Sequence, residues 1–169
     1  VGGAAWIHPK AALAQVFLEQ AWVQTNEQQA VQPWPWADTV PVARLRAPAH
    51  GIDQIVLAGA TGESLAFGPA KLAASAAPGS GHTVIAGHRD THFAFLEDIA
   101  IGDGLTLNRP DGRRLRYRVI DRAVVDSREH ALALGGDGRL TLVTCYPFDA
   151  VTPGGPLRLV VTAEPLRSG

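Results

Sequence analysis

The chain carries one cysteine, Cys145, and its surroundings make it a candidate nucleophile. It ends the run Arg139-Leu140-Thr141-Leu142-Val143-Thr144-Cys145, and Tyr146-Pro147-Phe148-Asp149 follows at once. The alternating, β-branched run predicts a half-buried strand, which stops at Pro147 because proline cannot donate to a ladder. The thiol is thereby presented where a rigid element hands over to a loop. Taken alone, a solitary cysteine is a small buried hydrophobe, but two other residues change that reading. A second short apolar strand, His82 to Gly87, delivers His88 at its carboxyl end. In a third, beginning at Leu157, Arg158 interrupts the alternation with an inward or rim-facing guanidinium that needs an anionic partner. A thiolate nucleophile needs a nearby base or cation, a proton donor for the leaving group and a donor for the developing oxyanion. Cys145, His88 and Arg158 supply those three types.

The elements that must position these groups are mostly strands. Strand patterns run over Val42 to Arg46, Ile52 to Leu57, His82 to Gly87, Gly104 to Arg109, Arg113 to Val124, Leu140 to Cys145 and Leu157 to Ala163. Asp111-Gly112 between two apolar runs predicts a hairpin, with Arg114, Arg116 and Arg118 on one face opposite Leu115, Tyr117 and Val119. That arginine face is read as solvated. One long helix is expected from about Pro9 to Thr25, with Leu13, Val16 and Phe17 on the barrel and Gln15 and Glu19 in water. Short helical turns are expected at Gly68 to Ala74, Phe93 to Ile99 and Ser127 to Leu132. The fold class is therefore mainly β, a barrel with an amino-terminal helix and short helical turns in its connections. Residues 1–36 form the helix and a Trp/Pro-rich crossover, and 37–169 the barrel, in one domain.

Thr141-Leu142-Val143-Thr144-Cys145 resembles the TLxTC signature of sortases, cysteine transpeptidases that attach sorting-signal proteins to surface acceptors. Ile85-Ala86-Gly87-His88-Arg89 resembles that family's strand-end histidine motif, and Arg158 its arginine on the following strand. The motifs occur in sortase order. Pro33-Trp34-Pro35-Trp36, Leu65-Ala66-Phe67-Gly68-Pro69, Tyr146-Pro147-Phe148-Asp149-Ala150 and the Trp6 to Trp22 segment are similar to the Gram-negative subgroup called class GN. The resemblance implies a closed β-barrel with Cys145, His88 and Arg158 as catalytic residues. It implies a thioester acyl-enzyme, a sorting-signal protein as substrate and an amine acceptor, with water as competitor. It also implies an amino-terminal inner-membrane anchor, a periplasm-facing catalytic domain and a monomer. Thr144 resembles the family's threonine before the cysteine; Tyr146, Phe148 and Asp149 are candidates for the substrate groove.

Composition sets further bounds. Fifteen Lys and Arg against sixteen Asp and Glu give a net charge of −1, no overall electrostatic footprint for nucleic acid or for an anionic membrane surface. At 169 residues the chain can bury a sizeable core, and 12 prolines and 18 glycines suit a turn-rich β fold. One cysteine excludes an internal disulfide and a cysteine zinc cluster. No run of eighteen apolar residues is present, and the start at Val1-Gly2-Gly3 reads as a soluble piece separated from its anchor. No cofactor is expected. His88 and His92 have a zinc-like spacing, but they follow a strand and lack further ligands, so no metal is assigned. Gly59-Ala60-Thr61-Gly62 lacks the lysine and the following helix of a phosphate loop. Two other classes fit a lone reactive cysteine: another cysteine peptidase or acyltransferase, and a non-catalytic β-barrel binding module whose thiol is inert.

Overall fold

The computed structural model describes residues 9–26, 29–35, 37–129, 137–151 and 154–167. Trp6, Trp36, the expected turn at 130–132, Gly135, Gly136 and Pro153 lie outside them. Among the described residues are helices α1 (Pro9–Gln24) and α2 (Gly62–Phe67). The strands are β1 (Pro41–Ala47), β2 (Ile52–Ala58), β3 (Ala70–Lys71), β4 (Thr83–Ala86), β5 (Gly104–Asn108), β6 (Arg114–Asp126), β7 (Leu140–Cys145) and β8 (Leu157–Pro165). They close into a barrel in the order β1-β2-β3-β4-β7-β8-β6-β5, with β5 returning to β1.

Most neighbours are antiparallel, but β2 with β3 and β4 with β7 are parallel. Parallel pairing needs a crossover. The one between β4 and β7 consists of the β5–β6 hairpin and its flanking loops, so the chain leaves β4, builds the far wall and returns beside it. The β5–β6 hairpin turns at Asp111-Gly112 as the sequence predicts: the Arg109 amide donates to Arg113 O at 2.8 Å, and Gly112 adopts φ 86°, a left-handed conformation that glycine reaches without strain.

Period-2 burial fills the interior. Ala43, Leu45 and Ala47 of β1 alternate inward, and Leu107, Tyr117, Leu142 and Val161 meet them from the other walls in one continuous core. A second cluster lies outside the barrel wall, where Leu18 of α1 packs on Ile55, Leu57 and Ala70, with Trp22, Leu65 and Phe67 around it. Trp34 stacks edge-on against Phe67 at 4.9 Å, fastening the Trp/Pro crossover to α2.

The face that α1 buries differs from the expected one. Leu13, Val16 and Phe17 are 55%, 52% and 37% exposed, whereas Ala14, Leu18 and Ala21 are 6%, 1% and 3% exposed. The helix is apolar nearly all round, with Lys10 and Glu19 its only charges, so periodicity alone did not fix its rotation. Two features do. Ala14 and Ala21 let the helix backbone approach the wall, and Glu19 accepts from Arg44 of β1 at 2.9 and 3.1 Å while Arg44 also binds Asp53 of β2. With Glu19 tied to the wall, Leu18 points beneath the helix and Phe17 outward.

Two short elements also differ from expectation. The helical turn expected at Gly68 to Ala74 is replaced by α2 before it and β3 within it. A helix does follow Gly59-Ala60-Thr61, contrary to the sequence reading, but Thr61 and Ser64 form a reciprocal cap that occupies its amino terminus. The turn expected at Phe93 to Ile99 is a short 3-10 helix, Ala94–Glu97. No helix among the described residues is long and apolar enough to cross a membrane.

Candidate active site

Strand β7 runs between β4 and β8, and Cys145 is its last residue. Its inward positions are Leu140, Leu142 and Thr144, in register with Ala163, Val161 and Leu159 of β8. Cys145 therefore takes the opposite parity and emerges on the outer face of the barrel at the strand end, half-buried. Its register partner on β8 is Arg158, and directly opposed residues share a face with Cβ atoms about 4.5–5.5 Å apart. The sequence expectation of an inward or rim-facing guanidinium is thus refined: Arg158 is at the rim, on the outer face.

On the other side of β7 the parallel register with β4 runs Ile85 to Leu142 and Ala86 to Val143. The Gly87 amide donates to Val143 O at 3.1 Å, and the Thr144 hydroxyl donates to Gly87 O at 2.8 Å, so the pairing persists past the last residue of β4. His88 follows Gly87 directly, so its backbone lies at the Cys145 end of β7. His88 itself is exposed. A histidine strand end and an arginine strand thus flank the cysteine strand.

Local chemistry explains why a glycine precedes His88. A Cβ on Gly87 would lie 2.7 Å from Phe93 Cγ, because the fully buried Phe93 ring rests against the Gly87 backbone. The Phe93 amide donates to His88 O at 3.0 Å, closing a tight turn over residues 88–93. Gln54 of β2 braces it, donating from Nε2 to His92 O at 2.7 Å. His92 is half-buried, its Nδ1 has no hydrogen-bond partner among the described residues, and burial, with His88 nearby, pushes its pKa below the usual histidine value despite Asp90. Gln54 and Arg89 were not singled out from sequence. Arg89 reaches Ala150 O at 3.4 Å, linking the histidine turn to the loop after the cysteine. An isolated polar residue in a strand pattern gives no sign of which loop it will brace.

The remaining expected residues fall in three environments. Thr144 is buried at 2% exposure with its hydroxyl engaged by Gly87. Tyr146 and Phe148 are half-buried against the core and meet edge to face at 6.2 Å; the Tyr146–Pro147 bond is cis. Asp149 is exposed. Arg158 donates from Nη1 to Gly155 O at 2.6 Å and Leu157 O at 2.8 Å, which fixes the guanidinium plane; its other N–H groups make no hydrogen bond among the described residues. A thiol, an imidazole and a planar donor carried on three neighbouring segments at one end of the barrel are the residue types that nucleophilic attack on a carbonyl requires.

Comparison with known proteins identifies the family. The family model described as "Sortase domain" matches residues 45–166. No match is found among curated protein sequences. Among solved structures, sortase A from Corynebacterium diphtheriae is similar at 26% identity and TM-score 0.69, over 94% of this chain and 86% of that one. The Clostridium perfringens sortase D5 transpeptidase shares the fold at 18% identity and TM-score 0.72, over 92% and 99% of the two chains. Sortase C-1 from Actinomyces oris does so at 24% identity and TM-score 0.67, over 92% and 98%.

Proposed function

This chain belongs to the sortase family of cysteine transpeptidases, and we propose that Cys145 is its nucleophile, His88 its general acid and base, and Arg158 its oxyanion and peptide donor. As a sortase it cuts a sorting signal, holds the acyl group as a thioester and passes it to an amine. The observation that carries the residue assignment is the strand register, with Cys145 opposite Arg158 on one side and beside the His88 strand end on the other.

In the first half-reaction the Cys145 thiolate attacks the scissile carbonyl carbon, and the carbonyl electrons move onto oxygen, where the Arg158 fork and backbone amides hold the charge. The carbon–nitrogen bond then breaks, and His88 gives its proton to the departing amine, leaving a thioester. In the second, His88 takes a proton from the incoming amine, which displaces the thiolate. Water in place of the amine yields hydrolysis.

Tyr146, Phe148 and Asp149 line the peptide path in this reading, because they continue directly from Cys145 along the same rim. Thr144 contributes through Gly87. In this reading residues 1–36 are an amino-terminal part and 37–169 the catalytic barrel of one domain, which the packing of Leu18 of α1 on the barrel wall supports. The Trp/Pro and Tyr-Pro-Phe-Asp-Ala stretches support membership of the Gram-negative subgroup, an inner-membrane anchor, a periplasmic active site and a monomeric enzyme. Sortases are in general enzymes of the cell envelope.

The test is to incubate the protein with sorting-signal peptides and a panel of amines and read both products and acyl-enzyme by mass spectrometry. An acyl adduct on Cys145, lost in Cys145→Ala, is expected; transfer by Cys145→Ala would overturn the assignment. A binding module instead predicts an alkylation rate that follows an ordinary thiol's pH profile and no adduct.

A further inference from the structure

The pole of the barrel opposite Cys145 holds a cavity of about 650 Å³ that the transpeptidase reaction does not use. It is formed by the start of β6, the residues after β8 and the approach to β7. Because β7 runs from Leu140 at this pole to Cys145 at the other, the two ends are on the order of 17 Å apart.

Arg113, Arg114, Arg116 and Arg167 line this cavity, with Tyr117 as part of its wall and the half-exposed Leu166 at its lip. All four arginines are exposed, and none has an ion pair among the described residues. The nearby carboxylates are already engaged: Asp111 by Arg109 at 3.0 Å, Glu164 by Arg118 at 2.7 Å and Asp137 by Arg139 at 3.2 Å. A chain of net charge −1 thus gathers unpaired guanidinium groups around one concavity. Like charges held together repel, and the arrangement becomes favourable when an anion enters.

We propose that this cavity is a binding site for phosphate-bearing anions, separate from the active site. Its volume is in the range of small-ligand sites. Guanidinium forks match phosphate oxygens bidentately, and a phosphate monoester brings nearly two charges and three acceptor oxygens into the space where a carboxylate brings one charge and two. The Leu166 amide donates to Arg116 O at 2.8 Å, so the backbone after β8 is laid along β6 beside the cavity.

The experiment titrates the protein with inorganic pyrophosphate by calorimetry at low salt. A parallel arm measures cosedimentation with phosphatidylglycerol vesicles against phosphatidylcholine vesicles. Pyrophosphate should bind at one site, more weakly as salt rises. The double variant Arg114→Gln/Arg116→Gln should lose on the order of tenfold or more in affinity, with peptide cleavage unchanged. Arg139→Gln, whose guanidinium is already paired, should bind as the unmodified protein does. Vesicle binding that the double variant loses identifies a lipid headgroup as the source; binding of pyrophosphate alone identifies a soluble phosphate ester. The proposal is overturned if neither probe binds, if the double variant binds as well as the parent, or if polyglutamate binds where both phosphate probes fail.

Discussion

The Thr144 hydroxyl donates to the Gly87 carbonyl at 2.8 Å, so the residue before the thiol is bonded to the residue before the imidazole. One buried hydrogen bond therefore sets the spacing of the two strand ends on which the proposed chemistry depends. Thr144→Val keeps the shape but leaves the carbonyl unpaired. It should lower stability by about 1–3 kcal/mol and reduce turnover more than it raises KM, while Thr144→Ser should recover most of both. Urea denaturation and steady-state kinetics on the three proteins check this.

Gly87→Ala should destabilise the fold by about 1–3 kcal/mol, because the new methyl group meets the Phe93 ring at 2.7 Å. Adding Phe93→Leu should restore part of the loss. If the methyl group is absorbed without strain, the melting temperature will not move and the double variant will only be worse.

Arg158→Lys keeps the charge but loses the planar fork. On the proposed role it should lose about 10²–10³-fold in kcat, close to Arg158→Ala, with KM little changed. Full activity in the lysine variant would reduce Arg158 to a point charge.

The two faces of α1 should respond oppositely to truncation. Leu18→Ala removes a side chain 1% exposed and should cost about 2–5 kcal/mol, whereas Val16→Ala, at a position 52% exposed, should stay within about 0.5 kcal/mol. Thermal denaturation of both variants distinguishes this rotation of the helix from the one that periodicity suggests.

Burial holds the His92 pKa below its unfolded value of about 6.5, so the unfolded chain binds the proton more readily than the folded one. That contribution to stability is fully present above about pH 6.5 and is lost as the pH falls through the unfolded value toward the folded one. His92→Phe, which cannot titrate, should flatten the stability profile in that window. An unchanged slope in melting temperature between about pH 5 and 6.5 would assign the dependence to another group.

Much of the barrel was legible because its strands obey simple periodicities. Leu140 to Cys145 is a short β-branched and apolar run stopped by Pro147, and Asp111-Gly112 carries its own turn chemistry, so each was readable without knowledge of its partners. β3 was not, since Ala70 and Lys71 are too short to carry a period and exist as a strand only because Leu57 and Ala86 flank them. The site was legible as residue types at strand ends. What held them was not: the Gln54 brace, the Arg89 link and the Thr144 tie each join segments distant in sequence. The rotation of α1 was lost for a related reason, as it depends on Glu19 meeting Arg44 and on the close approach that Ala14 and Ala21 permit, not on where the large apolar side chains fall.

The strand order β4-β7-β8-β6 also constrains when this protein can become active. During synthesis, the histidine strand and the whole β5–β6 hairpin emerge before the cysteine strand, and the arginine strand emerges last. Until β8 is available, β7 and β6 each lack a neighbour and the barrel has a gap at the place where the thiol would sit. The growing chain thus carries the Cys145 sulfur in an unfinished wall only until the next strand follows. A chain stopped a few residues short of Pro165 would keep the cysteine, the histidine and Arg158, yet lose the end of the strand that seals β6 to β7.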